Sequence, residues 1–121
     1  MEEKKCVLAV DDDILILMEL IHILKADYKV RSVKDGNSAL ENVSEYIPDI
    51  ILLDVNMPDM NGYEVVQELR KSERTNKIPV ILITGAKMYE DYKRQNECIV
   101  DYIRKPFNAE EVKQKVKMHL G

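Results

Sequence analysis

The sequence predicts an α/β domain built on a parallel sheet, because strand-like and helix-like segments alternate along the chain. Short apolar runs and segments with apolar residues at helical spacing follow one another five times. The third and fourth apolar runs show no alternation with polar residues, which is typical of strands buried on both faces. With 121 residues the chain has the usual size of one domain, which we predict to span residues 1–121.

The first half of the chain is predicted to contain three strands and two helices. The second strand is the most polar of the three. A turn at Asp35 and Gly36 begins the second helix, and Pro48 ends it. In chain order the predicted elements are a strand at 6–10, a helix at about 14–25, a strand at 29–33, a helix from about 35 to 47 and a strand at 50–53.

The second half is predicted to contain three helices and two strands. A loop with Pro58 leads to the third helix, which is marked by apolar residues at helical spacing. At the last helix Asn108 is followed three residues later by Glu111, which is a capping-box pattern. The predicted elements are a helix around Val65, Val66 and Leu69, a strand at 79–83, a weak helical stretch at about 88–97, a strand at 101–104 and a last helix from Asn108.

Composition argues against several classes of protein. A net charge of -4 does not suit nucleic-acid binding, which requires a basic surface against phosphates. No apolar run approaches the roughly 20 residues of a membrane span, and the charged start at 1–5 does not resemble a signal peptide. We therefore expect a cytoplasmic protein that binds neither nucleic acid nor membrane. Cys6 and Cys98 lack metal-ligand spacing and are expected to be reduced thiols.

Polar residues that directly follow the predicted strands are the strongest functional signal. Parallel strands end at the same edge of a sheet, and ligands of such folds bind at that carboxyl edge. Side chains from most of the chain should therefore converge there. They are Asp11, Asp12 and Asp13 after the first strand, Asp54 and Asn56 after the third, Thr84 after the fourth and Lys105 after the fifth.

This combination of side chains fits phosphoryl chemistry with a magnesium ion. Carboxylates gathered in one place repel one another, and a hard divalent cation removes that cost. A phosphoryl group in transfer needs positive charge and hydrogen bonds, which a lysine and a hydroxyl would supply. Asp54 follows the most strand-like apolar run and is the natural nucleophile, which would become an acyl phosphate.

Each of these residues also has a purely structural interpretation. Consecutive acids can begin a helix, and for Asp13 we favour the interpretation as an N-cap. An acid such as Asp54 after a strand is often only a loop residue, and Thr84 or Lys105 alone would indicate nothing. The joint occurrence at four strand ends is what carries the prediction.

Four longer segments of the chain match a known family. They are VLAVDDD at 7–13, DIILLDVNMPDMNGYEVV at 49–66, PVILITGA at 79–86 and DYIRKPF at 101–107. On these segments the sequence resembles the receiver domains of bacterial two-component systems, of the chemotaxis-regulator type, over essentially its whole length. The resemblance implies a flavodoxin-like sandwich of five strand–helix units, with strand order 2-1-3-4-5 and helices on both faces.

The resemblance also implies roles at the acidic end of the site. Asp54 matches the phosphorylated aspartate of the family. Asp12 matches a direct magnesium ligand, and Asp11 matches its partner, which often acts through water. Asn56 matches the residue whose backbone carbonyl completes the protein's share of the metal shell.

Three further positions match residues that respond to the phosphoryl group. Thr84 matches the residue whose hydroxyl hydrogen-bonds the phosphoryl group. Lys105 matches the lysine that pairs with that group, and Tyr102 matches the aromatic switch. Without the resemblance we would interpret Tyr102 as a half-buried strand aromatic. The chain departs from the family between Thr84 and Lys105, where it is one residue short and ends its fourth helix without the usual glycine.

The function implied by the resemblance is a signalling switch. A sensor histidine kinase or a histidine phosphotransfer protein would donate a phosphoryl group to Asp54 with the help of Mg2+, and the new charge would change the interaction surface. The domain would assist its own phosphotransfer and dephosphorylation without being an enzyme in its own right. A second copy of the chain and an output domain or protein are further expected partners. The alternatives are a haloacid-dehalogenase-type phosphatase, which carries its nucleophile on the first strand, and a receiver that acts only as an interaction module.

The first helix is more apolar than a single buried stripe requires. Its excess apolar residues would form a docking patch for a helical kinase partner or a second copy of the chain, and the alternative is that they belong to the core. The resemblance implies a core of Ile16, Leu20, Ile23 and Leu24. The excess residues are then Ile14, Leu17, Met18 and Ile21, and the predicted patch is Leu17, Met18 and Ile21.

The helical stretch at about 88–97 is predicted to be the least stable helix and the main responder to phosphorylation. Its second half is polar all round, so little burial offsets the entropy of ordering it.

Overall fold

A computed structural model describes residues 3–85 and 98–120. The predicted helix at 88–97, and the prediction that it responds to phosphorylation, lie outside these residues. The elements of the described part are β1 (Cys6–Val10), α1 (Ile14–Leu24), β2 (Lys29–Val33), α2 (Gly36–Glu45), β3 (Ile50–Leu53), α3 (Gly62–Arg70), β4 (Val80–Thr84), β5 (Ile99–Arg104) and α4 (Ala109–Leu120).

The five strands form one parallel sheet in the order β2-β1-β3-β4-β5, which confirms the predicted order. Val10, the last residue of β1, lies opposite Val33 of β2 and Leu53 of β3. The carboxyl ends of these three strands are therefore level. Residues that follow them, including Asp11 and Asp54, start from the same edge of the sheet.

Two apolar clusters fill the two faces of the sheet, because successive strand residues point to opposite faces. In β1, Leu8 and Val10 belong to the cluster covered by α2 and α3, whereas Val7 and Ala9 belong to the cluster covered by α1 and α4. The side chains of β3 and β4 are buried throughout. The prediction of two fully buried central strands with helices on both faces is confirmed.

Side-chain caps start the helices close to where the sequence places them. Asp13 is the N-cap of α1, and its side chain accepts a hydrogen bond from the Leu15 N–H at 2.9 Å, which confirms the capping prediction. Asn108 caps α4 by accepting from the Glu111 N–H at 2.8 Å. Each cap satisfies a backbone donor that the first helical turn leaves without an intrahelical partner.

The buried face of α1 differs from the prediction at two positions. Leu17 is 2% exposed and packs with Leu20, Ile23 and Leu24 against the sheet, whereas Ile16 is only partly buried. Assigning Leu17 to a docking patch was therefore wrong, because positions 17, 20 and 24 share one helical face and that face meets the sheet. The exposed apolar residues of α1 are Ile14, Leu15 and Met18.

The boundary of β5 also differs, since the strand begins at Ile99 and the prediction began it at Asp101. Ile99 is 1% exposed and lies opposite Val80, and the register then shifts between Val80 and Ile81. A charged residue at 101 interrupts the apolar run and hides this start from the sequence. No helix in segments 3–85 and 98–120 combines the length and apolar character that crossing a bilayer requires.

Candidate metal centre at the carboxyl edge of the sheet

Three carboxylates meet at the carboxyl edge of the sheet. Asp11 and Asp12 follow β1 and Asp54 follows β3, and oxygen atoms of the three side chains all lie within 4.8 Å of one another. The Asp54 N–H donates to the Val10 carbonyl at 2.9 Å, which holds the two chain segments side by side. Asp11 and Asp54 are buried, and Asp12 is exposed. The predicted convergence of these three residues is confirmed by the geometry.

Lys105 brings a positive charge to the carboxylates from the end of β5. Its ammonium lies 2.8 Å from Asp11 Oδ2 and 3.4 Å from Asp54 Oδ1. Burial would lower the pKa of Lys105, but the hydrogen bonds and charges of the two carboxylates outweigh burial and raise that pKa above its usual value. Lys105 is therefore a fixed cation within reach of any group attached to Asp54.

The surroundings of Asp54 change the pKa of its side chain strongly. Burial and the nearby charge of Asp11 raise the pKa of Asp54 to about 6, although Lys105 and a hydrogen bond from the Asn56 N–H act in the opposite direction. The site thus holds more negative charge than one lysine balances. Carboxylate oxygens are the ligands that hard divalent cations such as magnesium prefer, so the donor set fits such an ion.

Thr84 and Asn56 lie at the same edge. Thr84 is the last residue of β4 and is 1% exposed, and its backbone carbonyl accepts a hydrogen bond from the Lys105 N–H at 3.3 Å. Asn56 is exposed in the loop that follows Asp54. Both residues therefore lie at the edge of the sheet that carries the acidic cluster, and their ligand roles stay predictions.

Tyr102 lies in the middle of β5, three positions before Lys105. Its side chain is half-buried and packs against the apolar cluster under α2 and α3, and the residue lies opposite Leu82 of β4. The structural interpretation as a half-buried strand aromatic describes this position. Its role as a switch stays a prediction.

Gly62 is a site residue whose role the sequence reasoning missed. It is the first residue of α3, and a Cβ atom at this position would lie 2.5 Å from the carbonyl oxygen of Asp54 and 3.0 Å from Cα of Val55. Only glycine allows the start of α3 to come this close to the backbone of the central carboxylate. The signal was available in the sequence as an Asn-Gly pair a few residues after Asp54, at the start of a predicted helix.

Comparison with known proteins gives a consistent result over the chain. Residues 7–117 match the sequence model of the response regulator receiver domain. The polar-differentiation response regulator DivK of Brucella ovis is 32% identical over 120 residues, which cover 97% of each protein. A probable cyclic di-GMP phosphodiesterase of Vibrio cholerae is 36% identical over 115 residues, which are 94% of this chain and 26% of that protein. The chain thus spans about a quarter of the length of this longer relative.

Solved structures agree with the sequence matches. A putative response regulator from Chloroflexus aurantiacus has a TM-score of 0.90 at 29% identity, and the match covers 98% of both chains. The chemotaxis protein CheY4 of Vibrio cholerae has a TM-score of 0.90 at 31% identity, and the match covers 97% of this chain and 99% of that one. The shared fold therefore extends across nearly the whole of each protein.

Proposed function

Because this chain belongs to the response regulator receiver domain family of two-component signalling, we propose that its Asp54 carboxylate is the acceptor of the phosphoryl group. The observation that carries the proposal is the position of Asp54. It is buried at the end of the central strand β3, beside two further carboxylates and 3.4 Å from the Lys105 ammonium. A carboxylate with a cation at this distance can act as a nucleophile toward an electrophilic phosphorus atom.

The proposed step conserves atoms and charge. A carboxylate oxygen of Asp54 attacks the phosphorus of a phosphohistidine, a new O–P bond forms and the P–N bond breaks. The imidazole leaves with the electron pair of that bond and takes a proton from solvent. Lys105 pairs with the phosphoryl oxygens as the phosphoryl group moves onto Asp54, and the Thr84 hydroxyl donates a hydrogen bond to one of them.

Asp11, Asp12 and Asp54 are proposed to hold a magnesium ion, together with the backbone carbonyl of Asn56. The three carboxylates are already gathered within 4.8 Å, and the pKa of Asp54 is raised to about 6 by burial and by Asp11. When bound, magnesium neutralises the carboxylates and the phosphoryl oxygens. Asp13 is left out of this shell because its side chain caps α1.

We also propose that the chain takes up one phosphoryl group per molecule and does not turn over phosphate esters. A haloacid-dehalogenase-type phosphatase would carry its nucleophile on the first strand, whereas here the best placed carboxylate follows β3. The chain would act as a regulated binding module, in which the added charge shifts a two-state surface. Incubation with p-nitrophenyl phosphate should therefore release no nitrophenol beyond a buffer control.

The partner that supplies the phosphoryl group is proposed to be a sensor histidine kinase or a histidine phosphotransfer protein. Ile14, Leu15 and Met18 expose between half and three quarters of their surface on α1. This helix begins directly after Asp13, at the same edge as the acidic cluster. A helical partner that covers these side chains would therefore have its histidine near Asp54.

Labelling with acetyl phosphate tests the acceptor assignment. The wild-type chain should gain one phosphoryl group in intact mass spectrometry when magnesium is present, and the gain should disappear with a chelator. Asp54→Asn should gain none. Asp27→Asn is the matched control, since this exposed residue lies between α1 and β2 at the opposite edge of the sheet, and it should label like wild type. Equal labelling of Asp54→Asn and wild type would overturn the assignment.

A further inference from the structure

The backbone of Tyr102 is held by two charged side chains. Its N–H donates to Asp101 Oδ1 at 2.8 Å, and its carbonyl accepts a hydrogen bond from Lys115 Nζ at 2.5 Å. Tyr102 belongs to β5, which is an edge strand of the sheet. Backbone groups on the open side of an edge strand need partners other than a neighbouring strand, and here α4 supplies one of them.

The two side chains that hold Tyr102 are part of a larger cluster. Lys115 Nζ lies 3.3 Å from Asp101 Oδ1, and His119 Nε2 lies 2.8 Å from Asp101 Oδ2. Burial would raise the pKa of Asp101, but hydrogen bonds from His119, from the Tyr102 N–H and from Lys115 outweigh burial and lower that pKa. The Asp101 carboxylate is therefore charged at neutral pH and accepts from three donors. We call these three residues, Asp101, Lys115 and His119, the β5–α4 clamp. The side chain of each is at least 70% buried.

The same strand connects this clamp to the acidic cluster. Two residues separate Tyr102 from Lys105, whose ammonium reaches Asp11 and Asp54. Ile103 between them is fully buried in the sheet. Lys105 follows the same strand that the clamp holds at Tyr102. If the contacts of Lys105 with Asp11 and Asp54 change, the strand is therefore pulled at one end and held by the clamp at Tyr102.

We propose that the β5–α4 clamp consists of positioning residues that hold Tyr102 in its resting conformation and oppose the rearrangement that follows phosphorylation of Asp54. This inference rests on the proposed function. A clamp that is formed mainly in the resting conformation stabilises that conformation over the phosphorylated one. Loosening the clamp should therefore make phosphorylation easier and should change the environment of the Tyr102 ring before any phosphoryl group is added.

Lys115→Met is the central test, because it keeps the length and apolar stem of the side chain and removes the cation. Lys113→Met is the matched control, since Lys113 is an exposed lysine on the same helix. Two quantities are measured on each protein. The first is the NMR signal of the Tyr102 ring in the metal-free resting protein with labelled tyrosine, assigned with Tyr102→Phe. The second is the initial rate of labelling by acetyl phosphate with magnesium.

Lys115→Met should shift the Tyr102 ring signal and raise the initial labelling rate about three- to tenfold, which corresponds to the loss of one or two hydrogen bonds from the resting state. Lys113→Met should change neither quantity. Lys115→Arg retains a cationic donor and should restore both quantities most of the way to wild type. A purely structural role of Lys115 would change stability without a selective shift at Tyr102 and without faster labelling.

A labelling rate of Lys115→Met that equals or falls below that of Lys113→Met would overturn the proposal, as would an unshifted Tyr102 signal. If Lys115→Met does not fold, His119→Gln is measured instead, and it should shift both quantities in the same direction by a smaller amount. A wild-type chain that never labels at Asp54 would contradict the proposed function, whereas the ring signal of the resting protein still decides whether the clamp positions Tyr102.

Discussion

The Lys105 ammonium lies 2.8 Å from a carboxylate oxygen of Asp11, a residue 94 positions earlier in the chain. The two residues follow strands β5 and β1, which are separated in the sheet by β3 and β4. The pair therefore spans the carboxyl edge of the sheet and passes over the end of β3, where Asp54 lies 3.4 Å from the same ammonium. This arrangement places one cation against the acceptor carboxylate and leads to the first prediction.

Replacing Lys105 by methionine should slow labelling by acetyl phosphate about tenfold or more, because the cation that pairs with the phosphoryl oxygens is lost. Magnesium should still bind, since the proposed ligands are unchanged. Labelling rates and a magnesium titration measure the two effects. Arg104→Met is the control, because Arg104 is the exposed neighbour of Lys105 and should retain both properties. Unimpaired labelling of Lys105→Met would contradict the role given to this lysine.

Substitutions of Asp12 and Asp13 should have different effects, one on metal binding and the other on helix capping. Asp13→Ala removes the N-cap of α1 and should lower the free energy of unfolding by about 1 kcal/mol while magnesium affinity changes little. Asp12→Ala should weaken magnesium binding and leave stability nearly unchanged, since its side chain is exposed. Urea unfolding and magnesium titration of both variants provide the check. Equal losses of affinity in the two variants would show that the ranking is wrong.

The raised pKa of Asp54 predicts that its charge destabilises the metal-free protein. The folded state holds the proton up to about pH 6, whereas the unfolded state releases it near the ordinary value of 3.8. The contribution of Asp54 to stability is therefore fully present below pH 3.8 and is lost as the pH rises through about 6.

Asp54→Asn should accordingly be more stable than wild type by roughly 2 kcal/mol at pH 7 without magnesium. The difference between the two proteins should shrink toward zero near pH 4, where Asp54 is protonated in the folded wild type. Urea unfolding at both pH values measures it. A difference that grows as the pH falls would mean that the charge of Asp54 is instead stabilised by its surroundings.

Gly62→Ala should disturb the acceptor directly. The added Cβ meets the carbonyl oxygen of Asp54 at 2.5 Å, so α3 or the segment after β3 must shift. We expect a loss of about 1–3 kcal/mol of stability together with slower labelling of Asp54. Gly36→Ala is the matched control at the start of α2, where the new atom meets the side chains of Met60 and Val65 at 2.9 Å. Side chains can move more easily than backbone, so this control should label like wild type.

Met18→Glu should reduce transfer from a phosphorylated histidine phosphotransfer domain and spare labelling by acetyl phosphate. Met18 is 61% exposed on α1 and can carry a charge without unfolding the helix, whereas Leu17 is 2% exposed. Leu17→Glu should therefore unfold the protein and abolish both reactions. Circular dichroism and the two labelling assays distinguish the variants. Unchanged transfer to Met18→Glu would exclude this part of α1 from the docking surface.

The sequence by itself determined the alternation of the elements in segments 3–85 and 98–120, the bounds of β1, β2 and β3, and the caps at Asp13 and Asn108. These features follow from residues that lie within a few positions of one another, namely apolar periodicity and side chains that bond to nearby backbone groups. The convergence of Asp11, Asp12, Asp54 and Lys105 was also predictable, because parallel strands all end at one edge. The order of the strands came from the family resemblance.

Only the tertiary structure decided which face of α1 is buried, how closely Gly62 approaches Asp54, and which side chains hold Tyr102. A helix with apolar residues on several faces, such as α1, has more than one possible buried stripe, and packing against the sheet selects Leu17 over Ile16. The contact between Tyr102 and Lys115 depends on how α4 lies along the edge strand β5. Such contacts join residues through sheet register and helix packing, and no local pattern in the sequence specifies the distance between them.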